Sequence, residues 1–147
     1  MKIIKEPEII LNKKLDLIDK FNPNLKEIIS DMKKTMYENK GVGLAANQVG
    51  LDMQLFVIDE KIAEEYGVPS AYMNPVITSF SKEQDEMEEG CLSIPEFYSI
   101  IKRSKKIMIK ALDEKGEKIK FKARGFLARV LQHEYDHLRG ILIKDKR

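Results

Sequence analysis

Residues 125–138 read Gly-Phe-Leu-Ala-Arg-Val-Leu-Gln-His-Glu-Tyr-Asp-His-Leu, and the rest of the chain has to be arranged around what this stretch forms. Phe126, Leu127, Val130, Leu131 and Leu138 recur at helical spacing, which predicts an amphipathic helix from Gly125 to Leu138 with Gly140 as its stop. Both histidines of the chain, His133 and His137, fall inside it, four residues apart. That is about one helical turn, so the two imidazoles leave the same face and can grip one ion, with Glu134 beside them. The alternative is a charged, solvated helix face. An otherwise histidine-free chain that places both histidines at ligand spacing favours the metal.

A catalytic metal usually takes three protein ligands and leaves a position for water. Downstream there is no third ligand: the metzincin position after Gly140 holds Ile143, and none of the residues after His137 is glutamate. The third ligand is therefore expected upstream. The single cysteine lies in Glu89-Gly90-Cys91-Leu92-Ser93-Ile94-Pro95. A lone thiol is buried, reactive or a ligand, and thiolate is a strong ligand for a divalent metal. Two imidazoles and one thiolate complete the count, which predicts a metal-dependent hydrolase with Cys91, His133 and His137 as ligands and Glu134 as the proton carrier.

Outward from this helix the pattern changes. Lys105 to Leu112 and Lys118 to Lys122 alternate polar and apolar residues around the turn Asp113-Glu114-Lys115-Gly116, which predicts a hairpin. Leu55 to Ile58 reads as a buried strand, and Ala71 to Ile77 as a strand broken by Pro75. Near the N-terminus a helix is predicted, with Asn22 as N-cap, Pro23 at its first position, a core stripe of Leu25, Ile28, Ile29, Met32 and Met36, and Gly41 as the stop. The expected fold class is α+β: short, mainly antiparallel sheets packed around the C-terminal helix, with an N-terminal helix, in one domain spanning 1–147.

The chain has 147 residues, a size that buries a core without staples, and its one cysteine excludes an internal disulfide. Its 26 Lys and Arg against 24 Asp and Glu leave a net charge of +2, so overall charge names no partner. Basic residues gather at Lys102 to Lys106 and Lys115 to Arg124, but acidic residues interleave, and the reading is a solvated sheet face with no nucleic-acid binding. Nowhere do eighteen consecutive apolar residues occur, and Met1 to Lys5 precede no long apolar run, so no membrane association and a cytoplasmic location are expected.

A further segment, Gly41-Val42-Gly43-Leu44-Ala45-Ala46-Asn47-Gln48, follows the first helix. Its small residues let another chain approach, and Gln48 offers a side-chain amide donor. Alone it reads as a flexible turn. Taken with Glu89 to Ser93 and Gln132 to His137, in this order, it resembles the peptide deformylase family, whose motifs are G-x-G-x-A-A-x-Q, E-G-C-x-S and Q-H-E-x-x-H. The similarity runs over roughly residues 7 to 145.

The resemblance implies removal of the formyl group from the N-terminal formylmethionine of nascent polypeptides, with release of formate. It places the metal on Cys91, His133 and His137, the catalytic carboxylate on Glu134, and the donors to the formyl oxygen on the Gln48 amide and the Leu92 backbone N–H. Substrate backbone would lie between Val42-Gly43 and Glu89-Gly90 as an added strand. Val42, Leu92, Phe126 and Val130 are nominated for the methionine pocket, although each also suits plain core, and Arg129 for the entrance. Arg103 and Asp136 match charged positions behind the metal. Ferrous iron is the implied physiological ion, while the ligands equally suit Zn(2+), Ni(2+) or Co(2+). Docking near the ribosome exit is also implied. Tyr98 and Asn12 stand where arginine is frequent in the family, and the chain lacks the long C-terminal helix of many bacterial members. Two rivals remain open: a small metallopeptidase cutting internal peptide bonds, and a noncatalytic zinc protein, which would need a fourth ligand.

Overall fold

The computed structural model describes residues 1–19 and 23–146. In chain order it contains α1 (Leu25–Glu38), β1 (Gly43–Ala45), β2 (Leu55–Ile58), α2 (Glu60–Tyr66), β3 (Ala71–Phe80), β4 (Gln84–Cys91), β5 (Ile94–Ser104), β6 (Lys106–Leu112), β7 (Lys118–Arg124) and α3 (Gly125–Leu138). The class is α+β, as expected. Five strands form one antiparallel sheet in the order β1-β2-β3-β6-β7, and β4 pairs with β5 in a separate two-stranded ribbon.

Helix α1 buries Leu25, Ile29, Met32 and Met36, with Ile28 half-buried at the margin. The proposed cap Asn22 lies outside the described residues. The stop is one residue earlier than expected: Lys40 takes φ +59°, and the N–H of Gly41 donates to the Met36 carbonyl 2.9 Å away. All four residues of β2 are buried, since α1, α3 and the neighbouring strands enclose it. Phe56 there stacks on Tyr72 of β3 with ring centroids 4.9 Å apart.

The strand containing Pro75 is not broken. β3 runs through it with a shift of register between Met73 and Val76, and Asn74 takes φ +49°. A bulge accommodates the missing N–H that would interrupt a regular ladder. The predicted hairpin is β6–β7, with Ile107 opposite Ala123 and Ile109 opposite Phe121 on the core side. Helix α3 lies on that side, touches β1, β2, β3, β6 and β7, and also meets β5 of the ribbon. This position between the two sheets lets one helix share a site with both.

The N-terminal segment straps the sides together. The N–H of Ile4 donates to the Gln48 carbonyl at 2.7 Å, and that of Glu6 to the Ser93 carbonyl at 3.0 Å. Among the described residues no helix is long and apolar enough to cross a membrane.

Candidate metal centre

Helix α3 presents His133 and His137 one turn apart, as the spacing requires, and their Nε2 atoms lie 3.2 Å from each other. Cys91, at the last position of β4, brings its Sγ to 3.4 Å from His137 Nε2. The three donor atoms lie within 4.8 Å of one another. Both imidazoles thus turn the same ring nitrogen toward one thiol.

Glu89 explains how His133 is held. Its Oε1 lies 2.9 Å from His133 Nδ1, leaving Nε2 to face the cluster. The same carboxylate receives Arg103 Nε at 2.7 Å and Arg103 Nη2 at 2.9 Å, and Arg129 binds it as well. Arg103 also donates to Asp136 at 2.8 Å, so the expected Arg103–Asp136 pair is present and belongs to a larger buried network. Burial alone would push the Glu89 carboxyl up, but His133 and the Arg103 guanidinium hold it below the usual carboxylate range.

Glu134 is 3% exposed. Its Oε1 has no hydrogen-bond partner among the described residues. Desolvation pushes its pKa up to about 7, partly opposed by His133 and Arg103. The two histidines are driven apart. Burial lowers both, but Cys91 and the Glu89 and Glu134 carboxylates outweigh it at His133, raising that imidazole to about 10, while burial and the His133 charge hold His137 well below its ordinary value. A thiol and two imidazoles aimed at one point, with a spare buried acceptor beside them, suit a divalent cation carrying a water.

Gly43 of β1 faces Glu134 so closely that a Cβ there would lie 2.6 Å from Glu134 Oε2. This close approach is the physical use of the small residue. Gln48 is 2% exposed, and both ends of its amide are engaged. Its Oε1 accepts the Ala45 N–H at 3.0 Å, and its Nε2 donates to Ser93 Oγ at 3.1 Å and approaches Cys91 Sγ at 3.6 Å.

These groups open onto a cavity of about 610 Å³, bordered by Gln48, Cys91, Leu92, His133 and Glu134, and also by Val42, Gly43, Glu89, Gly90, Phe126, Arg129 and Val130. Glu89 borders this cavity, and its carboxylate binds His133 and two guanidinium groups. One expectation needs correction. Arg129 was expected at the entrance, but it is 5% exposed and is held by Glu89, Asp85 and the Ile101 carbonyl. The buried Glu89 carboxylate and the Ile101 carbonyl draw it inward, and Asp85 binds it from the exposed side. Val42 and Phe126 are exposed at the cavity mouth, whereas Val130 is buried and Leu92 half-buried.

Three supporting residues had no assigned role in the sequence reading. Gln132 clamps α3 to the end of β5 by accepting from the Ser104 N–H at 3.2 Å and donating to the Ser104 carbonyl at 2.8 Å. Asn47 donates to the His137 carbonyl at 2.8 Å, and Ser93 holds Gln48. Their place inside the three motifs was the available signal, but motif membership does not say which partner a side chain finds.

Residues 1–147 match the family model of polypeptide deformylase. Peptide deformylase 1 of Clostridium perfringens is 48% identical over 136 residues, covering 92% of this chain and 90% of that protein. The peptide deformylase of Thermodesulfovibrio yellowstonii is 43% identical over 146 residues, covering 99% and 88%. The crystal structure of peptide deformylase from Thermotoga maritima superposes with a TM-score of 0.91 at 42% identity, covering 99% of this chain and 95% of that one. With its matching fold and its three motifs gathered at one cavity, the chain belongs to the polypeptide deformylase family.

Proposed function

We propose that this chain, as a single catalytic domain, removes the N-formyl group from formylmethionine at the start of nascent polypeptides, releasing formate. The observation that carries this reading is the convergence of Cys91 Sγ, His133 Nε2 and His137 Nε2 beside buried Glu134, on a cavity that also contains the Gln48 amide. Cys91, His133 and His137 would hold the metal. When bound, a divalent cation there supplies Lewis acidity and makes water a nucleophile near neutral pH.

The protein groups account for the remaining steps. Glu134 takes the proton of the attacking water and returns it to the amine that leaves as the formyl C–N bond breaks. Negative charge develops on the formyl oxygen, and the Gln48 amide and Leu92 backbone N–H receive it, each donor worth about 3 kcal/mol in the transition state. Ser93 and the Ala45 N–H fix the Gln48 amide beforehand, so little reorganisation is needed. The substrate backbone lies between Val42-Gly43 and Glu89-Gly90, and its methionine side chain enters among Val42, Leu92, Phe126 and Val130. Ferrous iron is the proposed physiological ion, and the cytoplasm the proposed location.

The test is formate release from formyl-Met-Ala-Ser by anaerobic, Fe(II)-loaded protein beside Glu134→Gln and Cys91→Ala. Release by the parent and loss in both variants is the expected result. A metal-loaded parent that cleaves unformylated peptides and releases no formate would overturn it.

A further inference from the structure

The two donors assigned to the formyl oxygen reach the cavity from segments far apart in the chain. Gln48 lies in the short 3-10 turn Ala46–Val49, and Leu92 in the turn that joins β4 to β5. Donors that meet one developing charge must be held within about 0.5 Å of their productive geometry. The side chains of the two turns meet where Gln48 Nε2 donates to Ser93 Oγ at 3.1 Å. A glutamine side chain has three rotatable bonds, so this contact is a pliable spacer between the two turns.

The N-terminal segment adds a second link between the same two turns, through backbone alone. The Ile4 N–H donates to the Gln48 carbonyl at 2.7 Å, and the Glu6 N–H to the Ser93 carbonyl at 3.0 Å. Two residues of chain reach no more than about 7 Å, so the strap limits how far the two carbonyls can separate. It is anchored at both ends: Ile3 is buried in the core, and the Glu6 carboxylate pairs with Lys144 in the chain beyond α3. Ile3 and Lys5 also border the cavity, so the strap runs along the site itself.

We propose that residues 3–6 are a positioning element for catalysis: the Ile4 and Glu6 N–H groups set the spacing between the Gln48 amide and the Leu92 N–H. The inference rests on the deformylase reading, which assigns those two donors. Holding the Gln48 carbonyl fixes the turn that carries the amide. Ser93 follows Leu92 directly, so holding its carbonyl restrains the turn that aims the Leu92 N–H. A brace of this kind acts on the charge that forms in the transition state, so its loss lowers kcat and leaves KM nearly unchanged.

The experiment measures formate release from formyl-Met-Ala-Ser by the anaerobic, Fe(II)-loaded parent and by two proteins altered at position 4. One is Ile4→Pro. The other carries the α-hydroxy analogue of isoleucine, which exchanges the N–H for an ester oxygen and keeps the side chain, so it decides the matter if Ile4→Pro does not fold. Leu25→Ala, a core truncation in α1, controls for lost stability alone. Both changes at position 4 should lower kcat about tenfold, with KM and bound metal within about twofold of the parent. Leu25→Ala should keep the parent's kcat at a temperature where every protein is folded. In a Gln48→Ala background the changes at position 4 should cost less than about twofold, because the donor they position is gone. Full kcat in the ester protein, a loss undiminished in the Gln48→Ala background, or the same loss in Leu25→Ala would each overturn the proposal. A parent that releases no formate would overturn the deformylase reading itself, whereas parental turnover with unaffected position-4 proteins would overturn only the role of the strap.

Discussion

A methyl group at position 43 would meet the Glu134 carboxylate at 2.6 Å, so Gly43→Ala must displace the proton carrier or its own strand. A shift of that size at a reacting group is expected to lower formate release about 100-fold, with urea unfolding and bound metal essentially unchanged. Glu89 gives a different pattern. Glu89→Ala takes the hydrogen-bond partner from His133 and leaves Arg103 and Arg129 buried without it. Metal affinity should fall about 10–100-fold in a chelator competition. Urea unfolding should show a loss of about 3–5 kcal/mol, as when one member of a buried ion network is removed. The sequence marks Glu89 and Arg129 as motif residues or near neighbours, yet whether a charged side chain faces substrate or the protein depends on what the other strand supplies.

Helix α3 shows how far local pattern reaches. Its bounds agree with those read from the apolar spacing, because one periodic stripe meets the core and Gly140 ends the turn at φ +77°. Gly140→Ala is strained by that φ, and its Cβ would lie 2.6 Å from the Asn12 backbone. A loss of about 1–3 kcal/mol is expected, seen as a melting temperature lower by roughly 2–4 °C per kcal/mol. The β4–β5 ribbon was less legible. β4 reads Gln-Asp-Glu-Met-Glu-Glu-Gly-Cys, a carboxylate-rich run with poor strand propensity, and it is extended only because β5 pairs with it and Arg103 and Arg129 accept its charge. Helix α2 escaped for another reason: it has seven residues, a length at which caps such as Asp59 carry more information than periodicity.

The two sheets are joined through α3, and the proposed ligands tie α3 itself to the β4–β5 ribbon. Chelation should therefore loosen the whole molecule: stripping the metal should lower stability by about 3 kcal/mol relative to protein with free metal near 100 times its Kd, read as a calorimetric midpoint lower by roughly 6–12 °C. The core supplies a pH test remote from this centre. Tyr72 is fully buried with no partner for its hydroxyl among the described residues, and burial holds that phenol well above its usual range. Its folded pKa exceeds the unfolded one, so stability is retained below about pH 10 and falls as pH rises further and the unfolded chain ionises. Tyr72→Phe should flatten that alkaline loss and, by removing an unsatisfied polar group, raise stability at neutral pH by about 1 kcal/mol in urea titrations.

Periodicity and ligand chemistry are local properties, and they settled the most in advance. The α3 helix, the buried β2 strand, the β6–β7 hairpin and the grouping of Cys91 with His133 and His137 all follow from spacing or from the small number of residues able to bind a metal. Partner identity is not local. The bulge that carries β3 through Pro75, the inward turn of Arg129 and the three partners of Glu89 depend on segments far apart in the chain. Tertiary structure decided these because a buried charge or an interrupted ladder is stable only when a distant segment satisfies it.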